Sequence, residues 1–380
     1  MAGKSRKTKK LGGVKVVIFI IEIAVIGVLI WLLCKLFGFG FGGRNAADIN
    51  GDSPDGGKPT YYVVNSDGIT AEDLNISEEV QKMSKEGGVM SGYTNIALFG
   101  IDATSTGISA LEKGSRSDTI IIVSINQASG DVKLCSIYRD TYLNTGVGGY
   151  QKCNAAYALG GGNVAVSMLN ANLDLNISNW VAVSYRGLVD AINCLGGIYI
   201  DVDSSEIDHL NNYQIGISEV LGCDYTPVTQ TGYQLLDGIQ ASAYCRIRYT
   251  AGDDFKRAER QREVLQATME QAKKADTDTL IRTFNTVSSN VLTSIDSDTF
   301  LDMVKNVGKY NIVGESGFPE TSLRTTGTIG AKGSCVIPVN LESNVIWLHQ
   351  YLFGDDSYTT SETVREYSSK INNDTKGYIN

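Results

Sequence analysis

Two stretches, NIALFGID (residues 95–102) and RSDTIIIVSINQASGDVKLCSIYRD (residues 116–140), decide the fold. Asn95–Ile101 and Thr119–Asn126 are short, nearly continuous apolar runs, as expected of strands buried on both faces. Ser129–Gly130 supplies a turn, and Val132–Ile137 follows as a third strand. Charged residues recur at the ends of these strands. Asp102 follows the first, Arg116, Ser117 and Asp118 precede the second, and Arg139 and Asp140 close the third.

Working outward, Gly162–Asn172 reads as a helix and Trp180–Ser184 as a strand. Tyr185–Cys194 reads as a helix, Gly196–Gly197 as a turn and Ile198–Val202 as a strand. Ala243–Tyr249 is expected to be a strand and Phe255–Lys274 a long helix. Strands alternating with helices predict an α/β fold, a mixed central sheet flanked by helices. Before this dense part, Thr70–Glu86 holds a short helix. After it, helices are expected around Leu280–Leu292, Phe300–Val307 and Val345–Phe353.

The other end of the chain has a different chemistry. Val16–Cys34 is 19 residues with one charge, Glu22. At about 1.5 Å per residue this helix reaches roughly 28 Å, close to a hydrocarbon core of about 30 Å. Six basic residues precede it and two follow, which keeps the N-terminus in the cytoplasm. The span ends in Trp31, Leu32 and Leu33 rather than a small-x-small site, so an uncleaved anchor is expected. Residues 35–60, rich in Gly, Asn and Asp, form a tether.

The formal net charge of −9 hides a split. Residues 1–44 carry eight basic side chains against Glu22, +7; the rest has 25 basic and 41 acidic, −16. Such a body is a poor nucleic-acid binder, because phosphate backbones need basic surface. With only His209 and His349, a three-His zinc site or an HExxH helix is excluded. No CxxC occurs among the seven cysteines. Six lie beyond the span, where disulfides are permitted and free buried thiols are equally open.

The chemistry concentrates in arginines. On a strand, Arg246 and Arg248 would share a face. Arg257, Arg260 and Gln261 would share a face of the following helix. Guanidiniums gathered at a helix N-terminus suit a pyrophosphate. A solvated basic helix face is the plainer alternative. Asp102 and Asp118 are of the type that holds Mg²⁺ together with phosphate oxygens.

This pattern resembles the LytR-CpsA-Psr family. The matching pieces are residues 95–102, Arg116-Ser-Asp118, Ser136-Ile-Tyr-Arg-Asp140 and Lys152-Cys-Asn-Ala-Ala-Tyr157. They continue with Leu188-Val-Asp190, Gly196-Gly197, Leu236-Asp-Gly-Ile-Gln-Ala241, Arg246-Ile-Arg248 and residues 254–261, DFKRAERQ. The resemblance implies a cytoplasmic tail (1–15), a transmembrane helix (16–34) and an extracytoplasmic linker (35–92). A catalytic domain (93–275) and a helical extension packed on it (276–380) complete the chain.

It implies a cell-wall enzyme, anchored in the cell membrane by a single pass with its catalytic domain outside. Such an enzyme moves a glycopolymer, such as teichoic acid or capsule polysaccharide, from a polyprenyl-pyrophosphate carrier to peptidoglycan. Arg116, Arg139, Arg246, Arg248, Arg257 and Gln261 match the pyrophosphate positions, and Arg260 lies in the same motif. Asp102 and Asp118 match the carboxylates for Mg²⁺, or Mn²⁺ in its place, and with Arg139 they are the catalytic candidates. Either aspartate is a candidate base, with Asp140 a weaker one. Tyr138 stands where the family has Pro, and a Gly/Ser/Thr-rich loop separates Asp102 from Arg116. A polyprenyl-pyrophosphate hydrolase, and a non-catalytic envelope regulator or glycan-binding protein, are the competing readings.

Overall fold

The apolar runs around residue 120 form the middle of a seven-stranded sheet. The computed structural model describes residues 62–63, 69–101, 108–248, 253–272, 274–287, 290–295 and 310–378. Its elements begin with β1 (Tyr62–Val63), α1 (Glu78–Met83), β2 (Tyr93–Ile101), α2 (Ser109–Glu112), β3 (Ser117–Asn126) and β4 (Asp131–Ile137). There follow β5 (Tyr142–Asn144), β6 (Tyr150–Lys152), α3 (Ala155–Leu173), β7 (Asn179–Ser184), α4 (Tyr185–Cys194) and β8 (Ile198–Val202). Next come α5 (Ser204–Leu221), β9 (Gly232–Leu236), α6 (Gly238–Tyr244), α7 (Asp253–Ala272) and α8 (Thr277–Val287). The chain closes with β10 (Val291–Thr293), β11 (Asn311–Phe318), β12 (Arg324–Thr328), β13 (Ser334–Pro338), α9 (Leu341–Phe353) and α10 (Glu362–Thr375).

The sheet order is β1-β10-β7-β2-β3-β4-β11. β2 pairs parallel with β7 and antiparallel with β3; β4 pairs antiparallel with β3 and parallel with β11. The sheet is therefore mixed, as expected. The registers bring Ile101 opposite both Ser117 and Ser184, and Ile137 opposite Phe318. The C-terminal ends of β2, β4, β7 and β11 and the start of β3 thus meet at one sheet edge. Polar groups just outside that edge face a shared crevice, the usual place for a site in an α/β sheet.

One face of the sheet packs Phe99, Ile120 and Ile122 against α3, α9 and α10. The other packs Ile121, Val123 and Ile125 with Leu265 of α7. A satellite core holds the antiparallel β8–β9 pair, α5, α6 and Ile247. α3 starts earlier than Gly162 and breaks at Gly160 and Gly161, the latter at φ +71°. A Cβ on Gly162 would lie 2.2 Å from the Trp180 ring, so only glycine lets the helix sit this close.

Two expectations are overturned. The strand expected at Ala243–Tyr249 does not form over the described residues 243–248: α6 runs to Tyr244, and Arg246–Arg248 follow in a turn and loop. Asp237 caps α6 with a reciprocal bond to Gln240, and this capping box starts a helix that overrides the β-like spacing. The segment after 275 is not a purely helical extension, since it gives β10 and β11 to the central sheet and adds the β12–β13 hairpin. The core therefore does not close at 275. The six described cysteines are free thiols. The expected helix at 300–307, the tail 1–15 and the span 16–34 lie outside the described residues. Among the described residues no helix is long and apolar enough to cross a membrane.

Candidate active site

Asp118, the second residue of β3, is the centre of the site. Arg139, just past β4, donates from Nη1 to Asp118 Oδ1 at 2.7 Å. Arg257, on the first turns of α7, donates from Nη2 to Oδ2 at 2.8 Å and to the Asp118 carbonyl at 3.1 Å. Arg248 brings Nη2 within 3.5 Å of Oδ2. Gln261 donates from Nε2 to the same carbonyl at 3.4 Å. Three segments, the end of β4, the loop at Arg248 and α7, therefore converge on Asp118 at the sheet edge.

The site is braced from outside. Asp140 meets Lys152 at 3.3 Å and Arg139 at 4.0 Å. Asn154 donates its N–H to the Arg139 carbonyl at 3.1 Å. Arg262 donates to Ser136 Oγ at 2.9 Å and pairs with Glu315 at 3.5 Å, which fixes α7 across β4 and β11. Tyr138, where the resemblance expects Pro, donates its N–H to the Phe318 carbonyl at 3.0 Å, a bond Pro cannot make. Its ring meets Phe255 edge-on at 4.7 Å, and the Arg324 guanidinium lies over both rings.

Burial pushes the Asp118 carboxyl up, but the charges of Arg257, Arg139 and Arg248 outweigh it and hold the group below its ordinary range. Asp118 is therefore ionised at neutral pH. A carboxylate with so low a proton affinity organises guanidiniums well and makes a poor general base. The cleft between β3, β4 and α7 is lined by Asp118, Ser136, Tyr138, Arg139, Arg257 and Gln261, among others. Across the described groups at this edge, Arg139, Arg248, Arg257 and Lys152 face Asp118 and Asp140, four cations to two carboxylates. With the positive end of α7 beside them, this is an anion receptor built from planar forks.

The structure sorts the other candidates. Arg116 is exposed, directly ahead of β3. Arg246 does not share a face with Arg248; its guanidinium lies 5.9 Å and 5.8 Å from the Tyr185 and Tyr213 rings. Arg260 departs from the clamp altogether. It is 1% exposed, donates to Glu206 Oε1 at 2.7 Å and to the Ile247 carbonyl at 3.1 Å, and so holds the loop that presents Arg248. Helix geometry explains the split: neighbours on a helix point about 100° apart, so Gln261 faces Asp118 while Arg260 turns to α5. Asp102 lies outside the described residues.

No group of three or more His, Cys, Asp or Glu that would hold a metal occurs among the described residues. Asp118 is nonetheless an ionised, hard oxygen donor, and Mg²⁺ commonly takes one or two carboxylates plus substrate phosphates. The donor chemistry fits that ion.

A model of the LytR_cpsA_psr family matches residues 60–344. Polyisoprenyl-teichoic acid--peptidoglycan teichoic acid transferase TagU of Enterococcus faecalis is 32% identical over 213 residues, 55% of this chain and 61% of its own length. The match thus spans less than two thirds of that relative. Biofilm regulatory protein A of Streptococcus mutans is 27% identical over 330 residues, 76% of this chain and 78% of its own. A solved structure from Streptococcus agalactiae has the same mixed α/β fold, with a TM-score of 0.55 and 23% identity over 76% of this chain and 94% of that one.

Proposed function

The chain belongs to the LytR-CpsA-Psr family, and from that premise we propose that it transfers a glycopolymer from a polyprenyl-pyrophosphate carrier to peptidoglycan. The observation that carries this reading is the convergence of Arg139, Arg248 and Arg257 on Asp118 at the sheet edge. The name of the enterococcal relative supplies the polymer class, teichoic acid. In this reading Val16–Cys34 anchors the chain in the cell membrane and the folded body works outside it, next to the lipid carrier.

An acceptor sugar hydroxyl attacks the phosphorus bearing the glycan. A P–O bond forms to the acceptor, the P–O bond to polyprenyl phosphate breaks, and the bridging oxygen leaves with its electron pair. Phosphoryl transfer of this kind needs positioning and charge stabilisation more than covalent help. Arg139 and Arg257 are held rigidly by β4 and α7 and fix the pyrophosphate. Arg248, on its loop, and exposed Arg116 close over the outer oxygens. Asp118 holds the guanidiniums together against their mutual repulsion. Bound through Asp118 and Asp102, Mg²⁺, or Mn²⁺, would supply further positive charge to the phosphate oxygens. A carboxylate on the metal would be held ionised as Asp118 is, so neither aspartate is a strong base there, and the departing polyprenyl phosphate takes up the proton of the acceptor hydroxyl.

The test uses the full-length chain in detergent with a polyprenyl-pyrophosphate-linked oligosaccharide. With an acceptor glycan, the joined product and polyprenyl phosphate are expected, and Arg248→Ala and Arg257→Ala should lose both. Equal release of polyprenyl phosphate without acceptor would make the protein a hydrolase instead. Unchanged rates in both variants would remove the clamp.

A further inference from the structure

The antiparallel β8–β9 pair, whose strands are joined through α5, stands outside the seven-stranded sheet and has one buried face and one open face. Along β8, Ile198, Ile200 and Val202 are buried while Tyr199 and Asp201 are exposed. On β9, Tyr233 and Leu235 are exposed. The register sets Tyr199 opposite Leu235 and Asp201 opposite Tyr233, so these four share the outward face. A solvated sheet face is normally polar. Three of these four positions are large and apolar, and Tyr233 is 70% exposed. The Tyr199 and Tyr233 rings stack at 5.3 Å and 20°, a flat surface already assembled.

This face runs into a groove of about 320 Å³ lined by Asp201, Val202, Asp203, Ser204, Thr231 and Gly232. That is at the small end of ligand clefts, which span about 300–1,000 Å³. A ring face beside carboxylate and hydroxyl oxygens matches a pyranose, whose C–H face stacks while its hydroxyl and amide edge hydrogen-bonds. Charge then selects the glycan. Asp201 and Asp203 repel a phosphate-bearing polymer and admit a neutral, N-acetylated strand. The groove also joins the clamp through short contacts. Asp203 and Glu206 form the cap of α5, Glu206 takes Arg260, Arg260 holds the Ile247 carbonyl, and the next residue, Arg248, meets Asp118.

We propose that the outward face of the β8–β9 pair binds the neutral glycan strand of the acceptor, an assignment that rests on the transferase reading above. The test titrates the full-length chain with a tetramer of β-1,4-linked N-acetylglucosamine, with poly(glycerol phosphate) and with a polyprenyl pyrophosphate analogue. Tyr233→Ala and Tyr199→Ala should each weaken tetramer binding by about tenfold, the order expected for truncating an aromatic anchor. Tyr233→Phe, which keeps the ring face, should bind nearly as wild type. All three should keep wild-type pyrophosphate affinity, which also shows that they fold. Absence of tetramer binding to the wild type, or equal binding by the alanine variants, overturns the proposal while leaving the clamp intact. Loss of poly(glycerol phosphate) binding in place of tetramer binding overturns it too, by giving the face to the donor polymer. Tyrosine-dependent tetramer binding in a chain that does not bind pyrophosphate supports the glycan face and removes the transferase reading.

Discussion

Arg248 and Arg260 lie twelve residues apart in the same motif-bearing stretch, and the structure gives them opposite jobs. In Arg260→Ala, Glu206 stays buried with its ion-pair partner removed, and the Ile247 carbonyl loses a donor. Breaking one side of a buried pair costs about 3–5 kcal/mol. For a chain of this size that lowers Tm by on the order of 10 °C. In Arg248→Ala the side chain lost is 33% exposed and its contact with Asp118 is 3.5 Å long. Stability should change by about 1 kcal/mol or less. Its charge-assisted bonds to a pyrophosphate are worth about 1.5–3 kcal/mol, so affinity should fall roughly ten- to a hundredfold. The assay pairs thermal melts with calorimetric titration of a polyprenyl pyrophosphate analogue on both variants. Glu206→Leu combined with Arg260→Met should recover part of the lost stability: the uncompensated buried charge is gone, while the capping bond from the Asp203 N–H to Glu206 is lost with it. An Arg260→Ala protein that melts as wild type but has lost pyrophosphate binding would refute the assignment of Arg260 to the brace.

The Asp118 carboxyl has its pKa depressed in the fold, so its ion pairs stabilise the protein fully above the unfolded value near 3.8 and cease to do so as pH falls through the lower folded value. Melts from pH 6 to pH 3 should therefore show the wild type losing its advantage over Asp118→Asn below about pH 4, and a constant gap would contradict the ion-pair cluster. EDTA should abolish transfer and added Mg²⁺ or Mn²⁺ restore it; activity that survives both chelation and Asp118→Ala would end the metal assignment. Protease added to intact protoplasts should digest a C-terminal tag and spare an N-terminal one, and the reverse pattern would overturn the topology.

The central strands were legible because a strand buried on both faces has to be mostly apolar, as 120–123 is without a break. Arg246 and Arg248 were misplaced because period-two spacing is a weak local signal. The stronger one was the Asp237-x-x-Gln240 capping box nine residues upstream, which commits that segment to helix. The role of Arg260 had no local signal: its partner Glu206 is 54 residues away, and only the fold brings them together. Of the eight residues of β11, three are glycines, at 314 and 317, or serine, at 316, so it lacks the apolar alternation that marked the other strands. The convergence on Asp118 was legible as residue types at strand ends, but its hierarchy was not. That Arg257 is buried against Asp118 while Arg248 is half open follows from the path of the chain into α7.

The parallel pairing of β4 with β11 has a practical consequence. β11 covers one side of the strand that delivers Arg139, and Arg324 clamps the Tyr138 and Phe255 rings beyond it. A protein shortened after α7 would leave β4 as a naked edge, its N–H and C=O groups unpaired along a strand that carries Val132, Leu134, Cys135 and Ile137. Such an edge templates strand addition by other copies, so the shortened protein should aggregate rather than act as a minimal enzyme. A unit meant to fold therefore has to keep β11, and with it α9 and α10, which pack on the sheet face of Phe99 and Ile120.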